Sequence, residues 1–456
     1  MHRVVLFLLI SVLAAAGCSR ICPRRTEANA SAGFREAVTH AKDQVFPAVV
    51  FIKCLRESHE TGQRLSQEVA GSGVIISPEG EVLTNHHVVD KAAEIRCLLS
   101  DGRAMDAQVI GSDKDTDLAL LQLDVPSDSG DQPCAKLGDS SELREGDFVM
   151  AMGAPWGLGR SVSIGIISCT RRFLPGHGEY SLWLQTDASI SPGNSGGPLV
   201  NTSGEVVGIN TLATMSGGDL GFTIPSETIR IILAQLREHG KMNWSWTGLQ
   251  LQPLKDFNRN IYFDGADGVI VAGTDPESPA RRAGITARDR ITKVNGQAVD
   301  GLTEEDLPAI RRQLGLLPKY KPVAIELVRN DQPVTVELIP REKGDVEGAE
   351  LDCPRWDFTV KVINQFDTPA LYFYRKQGVF IYGVKRPGNA INAGLQQHDI
   401  LLKINDKEVA TLDDVKAIHK ALLQKVDTEP RAVLSVMRNG LLRQFVLDFA
   451  RDYEKK

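Results

Sequence analysis

Across 456 residues the chain carries 52 lysines and arginines against 58 aspartates and glutamates, a formal net charge of −6, with 42% hydrophobic and 24% charged residues. That length calls for two to four domains, and the apolar content suffices for several cores. The acidic balance and the lack of any basic cluster, G-x-x-x-x-G-K-[ST] loop or H-E-x-x-H string argue against nucleic-acid binding, nucleotide-driven work and zinc proteolysis.

At the N-terminus, His2-Arg3 precedes an apolar run over 4–16. The run is short for a membrane span but suits an export signal, so residues 1–17 read as a signal peptide. Ala15-Ala16-Gly17-Cys18 also has the form of a bacterial lipobox, with Cys18 as lipidation site, although Ala15 stands where a branched aliphatic is usual. Cleavage at Ala14-Ala15-Ala16 without lipid is the alternative. Either route predicts an exported protein of the periplasm or cell envelope, membrane-anchored if Cys18 carries lipid. Residues 18–33 read as a flexible tether. Cys22, Cys54, Cys97, Cys134, Cys169 and Cys353 lack C-x-x-C spacing, which argues against a metal site, and no cofactor is expected. Cys54, Cys97 and Cys169 fall in apolar runs and read as buried free thiols.

A short helix is predicted over 31–42. Short β-type segments follow at 48–54, 73–76, 82–84, 94–99, 107–110 and 118–123, then at 148–152, 161–169, 181–185, 198–201, 206–210 and 221–224. Many short strands between polar turns predict a mostly β barrel or sandwich. A helix is predicted over 226–239, where Ile229, Ile232, Leu233 and Leu236 share one face, Ser226 serves as N-cap and Gly240 closes the end. Beyond it the sequence repeats at an offset of 110: Gly268-Val269 with Gly378-Val379, Ala283-Gly284 with Ala393-Gly394, Asp289 with Asp399, and Asn295 with Asn405. One register kept through such different residue types means two copies of a unit of about 100 residues. Residues 341–350, charged and Gly-containing, read as the linker between them.

The chemistry concentrates in G-N-S-G-G-P at 193–198. A serine among glycines suits a nucleophile, because the backbone turns tightly and leaves room for a substrate carbonyl. The N–H groups of Gly193 and Ser195, with Asn194 between them, then form a candidate oxyanion hole. A base and an orienting acid are needed beside it. In Thr84-Asn85-His86-His87-Val88-Val89, a turn between apolar runs exposes one of two imidazoles. Asp117 enters the apolar run 118–123 and needs a partner for a carboxylate so placed, whereas Asp115 reads as a turn residue. The chain order histidine, aspartate, serine is that of chymotrypsin.

The strings G-S-G-V-I-I-S at 71–77, T-N-H-H-V-V at 84–89, D-T-D-L-A-L at 115–120, L-G-D-S at 137–140 and Q-T-D-A-S-I-S-P-G-N-S-G-G-P-L-V at 185–200 together closely resemble the HtrA (Deg) serine proteases. The resemblance implies a chymotrypsin-like double β-barrel protease domain at 34–240, with His87 as base, Asp117 as orienting acid and Ser195 as nucleophile. It selects His87 over His86, as the histidine directly before the paired valines. Ile190, Leu212 and Leu220 are implied as walls of the specificity pocket, so cleavage after small or medium aliphatic residues is expected. Ser191-Pro192 departs from the family pattern. A proline there removes an N–H donor and is expected to alter how the loop switches between competent and collapsed forms. Residues 55–70 are short compared with cage-forming members, which argues against large cages.

The repeated units resemble α+β PDZ domains, at 245–342 and 350–452. Such domains bind a peptide C-terminus as an added strand. Trp246, Thr247, Gly248 and Leu249 form the expected carboxylate loop of the first copy. In the second copy, Trp356-Asp357-Phe358-Thr359 puts an aspartate beside the carboxylate, a poorer receptor. The family resemblance predicts an ATP-independent serine endopeptidase of envelope protein quality control and stress response. It would degrade misfolded or unfolded polypeptides as a homotrimer with Phe34 and Phe46 near the contact, and recruit or sense peptide C-termini through PDZ units. The competing reading is a chaperone or peptide-binding scaffold with a mostly silent protease site.

Overall fold

The structure, a computed structural model, describes residues 25–154, 159–214, 220–255 and 267–453. The expected signal peptide, Cys18 and Cys22 lie outside them. Twelve strands close into two barrels. The first contains β1 (Val49–Ser58), β2 (Leu65–Ile75), β3 (Glu81–Thr84), β4 (Ala92–Leu98), β5 (Ala104–Asp113) and β6 (Leu118–Leu123), in the closed order β1-β2-β3-β6-β5-β4. The second contains β7 (Phe148–Gly153), β8 (Ser161–Arg172), β9 (Trp183–Thr186), β10 (Pro198–Asn201), β11 (Val206–Thr214) and β12 (Leu220–Pro225), in the order β7-β8-β9-β12-β11-β10. The two circuits are the same. Closure leaves no free barrel edge. Each barrel fills with its own inward residues, such as Ile52, Val82, Leu118 and Leu120 in the first, and Val149, Ile167, Leu199 and Val207 in the second.

Helix α1 spans Arg25–Val45, so the stretch expected as tether is helical from Arg25 onward, and the helix starts well before residue 31. Its sequence RTEANASAGFREAVTHAKDQV is rich in alanine and straight-chain residues that lose little freedom in a helix. Residues 55–70 are also more ordered than a plain loop. They continue β1 and β2 as a hairpin paired from Val49↔Val74 out to Ser58↔Leu65. A one-turn helix, α2 (His86–Val89), follows β3.

The helix predicted at 226–239 is α3 (Ser226–His239), with Ile229, Ile232, Leu233 and Leu236 buried against β5, β6, β11 and β12. It thus ties the end of the second barrel to the first. Gly240 closes it in the left-handed region, φ 69°, donating to Leu236 O. Ser226 does not cap the helix: it is the first helical residue, and its Oγ donates to Gly138 O and accepts from Ser140 N. Cys54, Cys97, Cys134, Cys169 and Cys353 are free thiols; Cys54, Cys97 and Cys353 are buried, whereas Cys169 is only half-buried. Burial pushes the Cys97 thiol up to about 12.

The repeat appears as two sheets of matching order. In the first unit, Leu249–Gln252, Val269–Thr274, Arg290–Val294, Val323–Arg329 and Gln332–Leu338 are neighbours in sequence. In the second, Phe358–Val362, Val379–Val384, Ile400–Ile404, Arg431–Arg438 and Leu441–Asp448 follow the same path. The repeated aspartates have one job in each copy. Buried Asp289 takes two bonds from Arg329, which also donates to Gly284 O; buried Asp399 takes two from Arg438, which donates to Gly394 O. The copies differ at one edge. Leu249–Gln252 ends the first sheet, whereas Glu350–Cys353 adds a strand outside Phe358–Val362 and packs against helix Leu412–Leu423.

Candidate active site

The site lies where the barrels meet. The turn after β3 presents His87 on α2, and the turn between β5 and β6 presents Asp117. Asp117 Oδ2 lies 2.8 Å from His87 Nδ1, and Oδ1 accepts the His87 backbone N–H at 2.9 Å. One carboxylate therefore fixes both the ring and the peptide that carries it. Asp117 adopts φ 56°, a left-handed conformation uncommon for a non-glycine residue, so the surrounding turn must be braced. Its carbonyl accepts from His86 N and from the Asn85 side chain. Arg56 caps α2 by donating to the carbonyls of His87 and Asp90.

His86 and His87 differ in setting. The His87 side chain is 44% exposed, while that of His86 is 17% exposed and 3.6 Å from Asp90. Burial lowers the His86 pKa, partly opposed by Asp90. His86 therefore belongs to the packing of the turn, and the Asp117 carboxylate grips the His87 ring.

Ser195 comes from the second barrel. Ser191 O accepts the Asn194 N–H at 2.9 Å, and Gly193 has φ 97°. Proline second and a positive-φ glycine third match a type II turn. Pro192 thus occupies the position where its locked φ is suited and its missing N–H is not needed. The Asn194 N–H is spent within this turn, which removes it from the expected oxyanion donors. The N–H groups of Gly193 and Ser195 have no acceptor among the described residues. The Ser195 hydroxyl donates to Thr211 O at 3.1 Å.

Residues missed by reading motifs alone tie this turn to the first barrel. Fully buried Ser72 donates from Oγ to Gly193 O at 2.6 Å, accepts Ala154 N at 2.9 Å, and donates its own N–H to Ser195 O at 2.8 Å. Thr84 Oγ1 donates to Ser72 O, and Asn85 Nδ2 donates to Thr211 Oγ1 as well as to Asp117 O. Two glycines allow the close approach: a Cβ on Gly196 would sit 2.1 Å from Ser72 O, and one on Gly71 would meet Val88 at 2.7 Å. The small-residue run at 71–73 was the available signal.

Of the expected pocket walls, Ile190 is buried and Leu220 half-buried, each flanking Gly221, whose Cβ position lies 2.7 Å from Ile190 Cδ1. Leu212 lies in β11, and its side chain falls outside the described residues. In the first C-terminal unit, Trp246 belongs to the short strand Ser245–Trp246. Thr247 O accepts Ala280 N, Gly248 turns with φ 70°, and Leu249 begins the sheet's edge strand. In the second unit the corresponding Asp357 is buried at φ 58°, and its carboxylate accepts the N–H of Asn389.

The trypsin-like peptidase domain family matches residues 71–209, and the PDZ domain family matches residues 270–313. The chain is 37% identical over 371 residues to a probable periplasmic serine endoprotease DegP-like of Pseudomonas savastanoi pv. phaseolicola, covering 79% of this chain and 75% of that protein. It is 34% identical over 395 residues to the periplasmic serine endoprotease DegP of Salmonella typhimurium, covering 83% and 76%. Among solved structures, the HtrA-type protease AlgW with tripeptide aligns with a TM-score of 0.59 at 33% identity, over 67% of this chain and 97% of the other. A serine endoprotease from Yersinia pestis aligns with a TM-score of 0.53 at 32% identity.

Proposed function

Because the chain belongs to the HtrA/DegP family and is a serine endopeptidase, we propose that His87, Asp117 and Ser195 hydrolyse its substrates as base, orienting acid and nucleophile. The two-point grip of Asp117 on His87 carries this reading. A carboxylate on Nδ1 sets the tautomer, so that Nε2 is the basic nitrogen. The Ser195 hydroxyl has one proton, now directed at Thr211 O, and it turns toward Nε2 for attack. The attack forms an acyl-enzyme and passes the proton through His87 to the leaving amine, and water then releases the acid. The free N–H groups of Gly193 and Ser195 receive the developing oxyanion.

The substrates are misfolded or unfolded polypeptides of the periplasm, the compartment that the relatives' names give, cleaved without ATP after small or medium aliphatic residues. The apolar walls Ile190 and Leu220 support that preference. The edge strand Leu249–Gln252, with the loop Trp246 to Leu249 before it, receives peptide C-termini by strand addition. Phe34 and Phe148, exposed and 4.7 Å apart between ring centroids, support a trimer contact near the start of the domain, whereas Phe46 packs on its own core. Lipid at Cys18 anchors the chain. Casein cleavage by the wild type and its loss in Ser195→Ala tests the assignment, and added hydrophobic C-terminal peptide tests recruitment. If Ser195→Ala suppresses aggregation as well as a wild type that cleaves nothing, the scaffold reading replaces it.

A further inference from the structure

The stretch 341–350, expected as a linker, is fixed at both ends. Arg341–Glu342 pairs with Ser245–Trp246, and the Lys343 N–H donates to Trp244 O. At the other end, Glu350–Cys353 pairs antiparallel with Phe358–Val362, with Cys353 fully buried in the second unit's core. That strand lies between Phe358–Val362 and helix Leu412–Leu423, in the groove where a unit of this kind adds a peptide strand. The second unit is thus filled by its own chain, and the segment cannot drift as a tether would.

Between these anchors, three side chains reach the protease domain. Lys343 Nζ lies 2.8 Å from Asp115 Oδ2, with the two side chains 10% and 17% exposed. Glu347 pairs with Lys114. Glu350, 7% exposed, takes Lys91 Nζ at 2.6 Å, with His59 and Lys361 on the same carboxylate. The recipients are not scattered. Lys114 and Asp115 belong to the turn that holds Asp117 at φ 56°, and Lys114 O accepts the Asp117 N–H. Lys91, itself at φ 55°, ends the turn that carries His87. Both left-handed residues that shape the His87 and Asp117 turns therefore lie beside a contact from this one segment.

We propose that the segment from Lys343 to Glu350 is a positioning strap: its charged side chains hold the Asp117 and His87 turns in the mutual geometry that catalysis requires. Isolated surface ion pairs contribute little. Here the Lys343–Asp115 pair is well shielded from solvent and Glu350 is buried, and strand pairing at each end has already ordered the backbone, so little additional entropy is lost on forming them. The strap reaches neither substrate nor reacting atoms and acts through the turns alone. It rests on the triad reading above.

The test uses the full chain with Lys114→Glu, Glu347→Lys and the double charge swap, with Ser195→Ala as reference. This pair is the most exposed of the three. Each single variant is expected to lower kcat on a chromogenic peptide, and the rate of Ser195 labelling by a fluorophosphonate, by about fivefold with KM unchanged, the size of one lost and inverted ion pair. The double swap should return both to near wild type. Single variants with wild-type kcat overturn the strap. So does a loss of kcat that the swap does not restore, since that marks a folding defect instead of a lost pairing. Lys343→Met, read for kcat at a temperature where circular dichroism shows it folded, must fall in the same direction. Cleavage persisting in Ser195→Ala would remove the triad reading, and the strap with it.

Discussion

Ser72→Ala probes the joint between the barrels. The hydroxyl is fully buried and serves two main-chain groups, Gly193 O at 2.6 Å and Ala154 N at 2.9 Å. Alanine leaves both without that partner in a space too tight for an easy replacement. An orphaned buried group costs roughly 1–3 kcal/mol. With the hydroxyl's own desolvation removed, the net loss is about 2–4 kcal/mol of stability. Part of it is expected to fall on catalysis, because Gly193 O belongs to the residue whose N–H is the proposed oxyanion donor. If about half the loss is expressed in the transition state, kcat drops roughly 5- to 30-fold. Steady-state kinetics on a chromogenic peptide ending in valine, with fluorophosphonate labelling of Ser195 as a substrate-independent check, measures this. A variant that unfolds earlier but labels and turns over within twofold of wild type refutes the reasoning, because the nucleophile turn would then not depend on Ser72.

Asp117→Asn keeps the shape but offers one acceptor where His87 presents two donors, and its amide favours the wrong tautomer; kcat should fall about 10⁴-fold, as the serine-protease template predicts. Gly196→Ala places a Cβ 2.1 Å from Ser72 O at φ 85°, so a loss of about 3–5 kcal/mol is expected in urea unfolding, with no fluorophosphonate labelling. Asp113 is raised to about 6 by burial and by Asp115. Its folded pKa lies above the usual 3.8, so the fold favours the protonated form. Stability is fully present below the unfolded pKa and is lost as pH rises toward 6, by roughly 3 kcal/mol at most. Asp113→Asn should therefore gain on the wild type between pH 4 and 7 in urea titrations; parallel pH dependences would contradict this.

The mostly β architecture was legible because short apolar runs between polar turns can close only against one another, and the 110-residue offset exposed the repeated unit before any sheet was seen. The residues around Ser195, His87 and Asp117 stood out because glycines beside a serine and a carboxylate entering an apolar strand each demand a local reason. What could not be read was long-range. Ser72 meets Gly193 across 121 positions, and Lys343 meets Asp115 across 228. Neither side chain looks unusual among its sequence neighbours. The charges of 341–350 suggested solvent when the actual partners were charges elsewhere in the chain. Ser226 had the right residue type for a cap, but Gly138 and Ser140 offered its hydroxyl better partners.

The division of the site between barrels has a consequence for the life of the chain. His87 and Asp117 are complete once the first barrel has closed, but Ser195 and the turn that orders it arrive only with the second, and α3 then reaches back to fasten the two. On the proposed assignment, a half-synthesised chain holds its base without its nucleophile, and a loosened one holds both out of register. Hydrolytic power therefore requires both barrels and their docking. An enzyme that cuts polypeptides is harmless to its makers until it is finished.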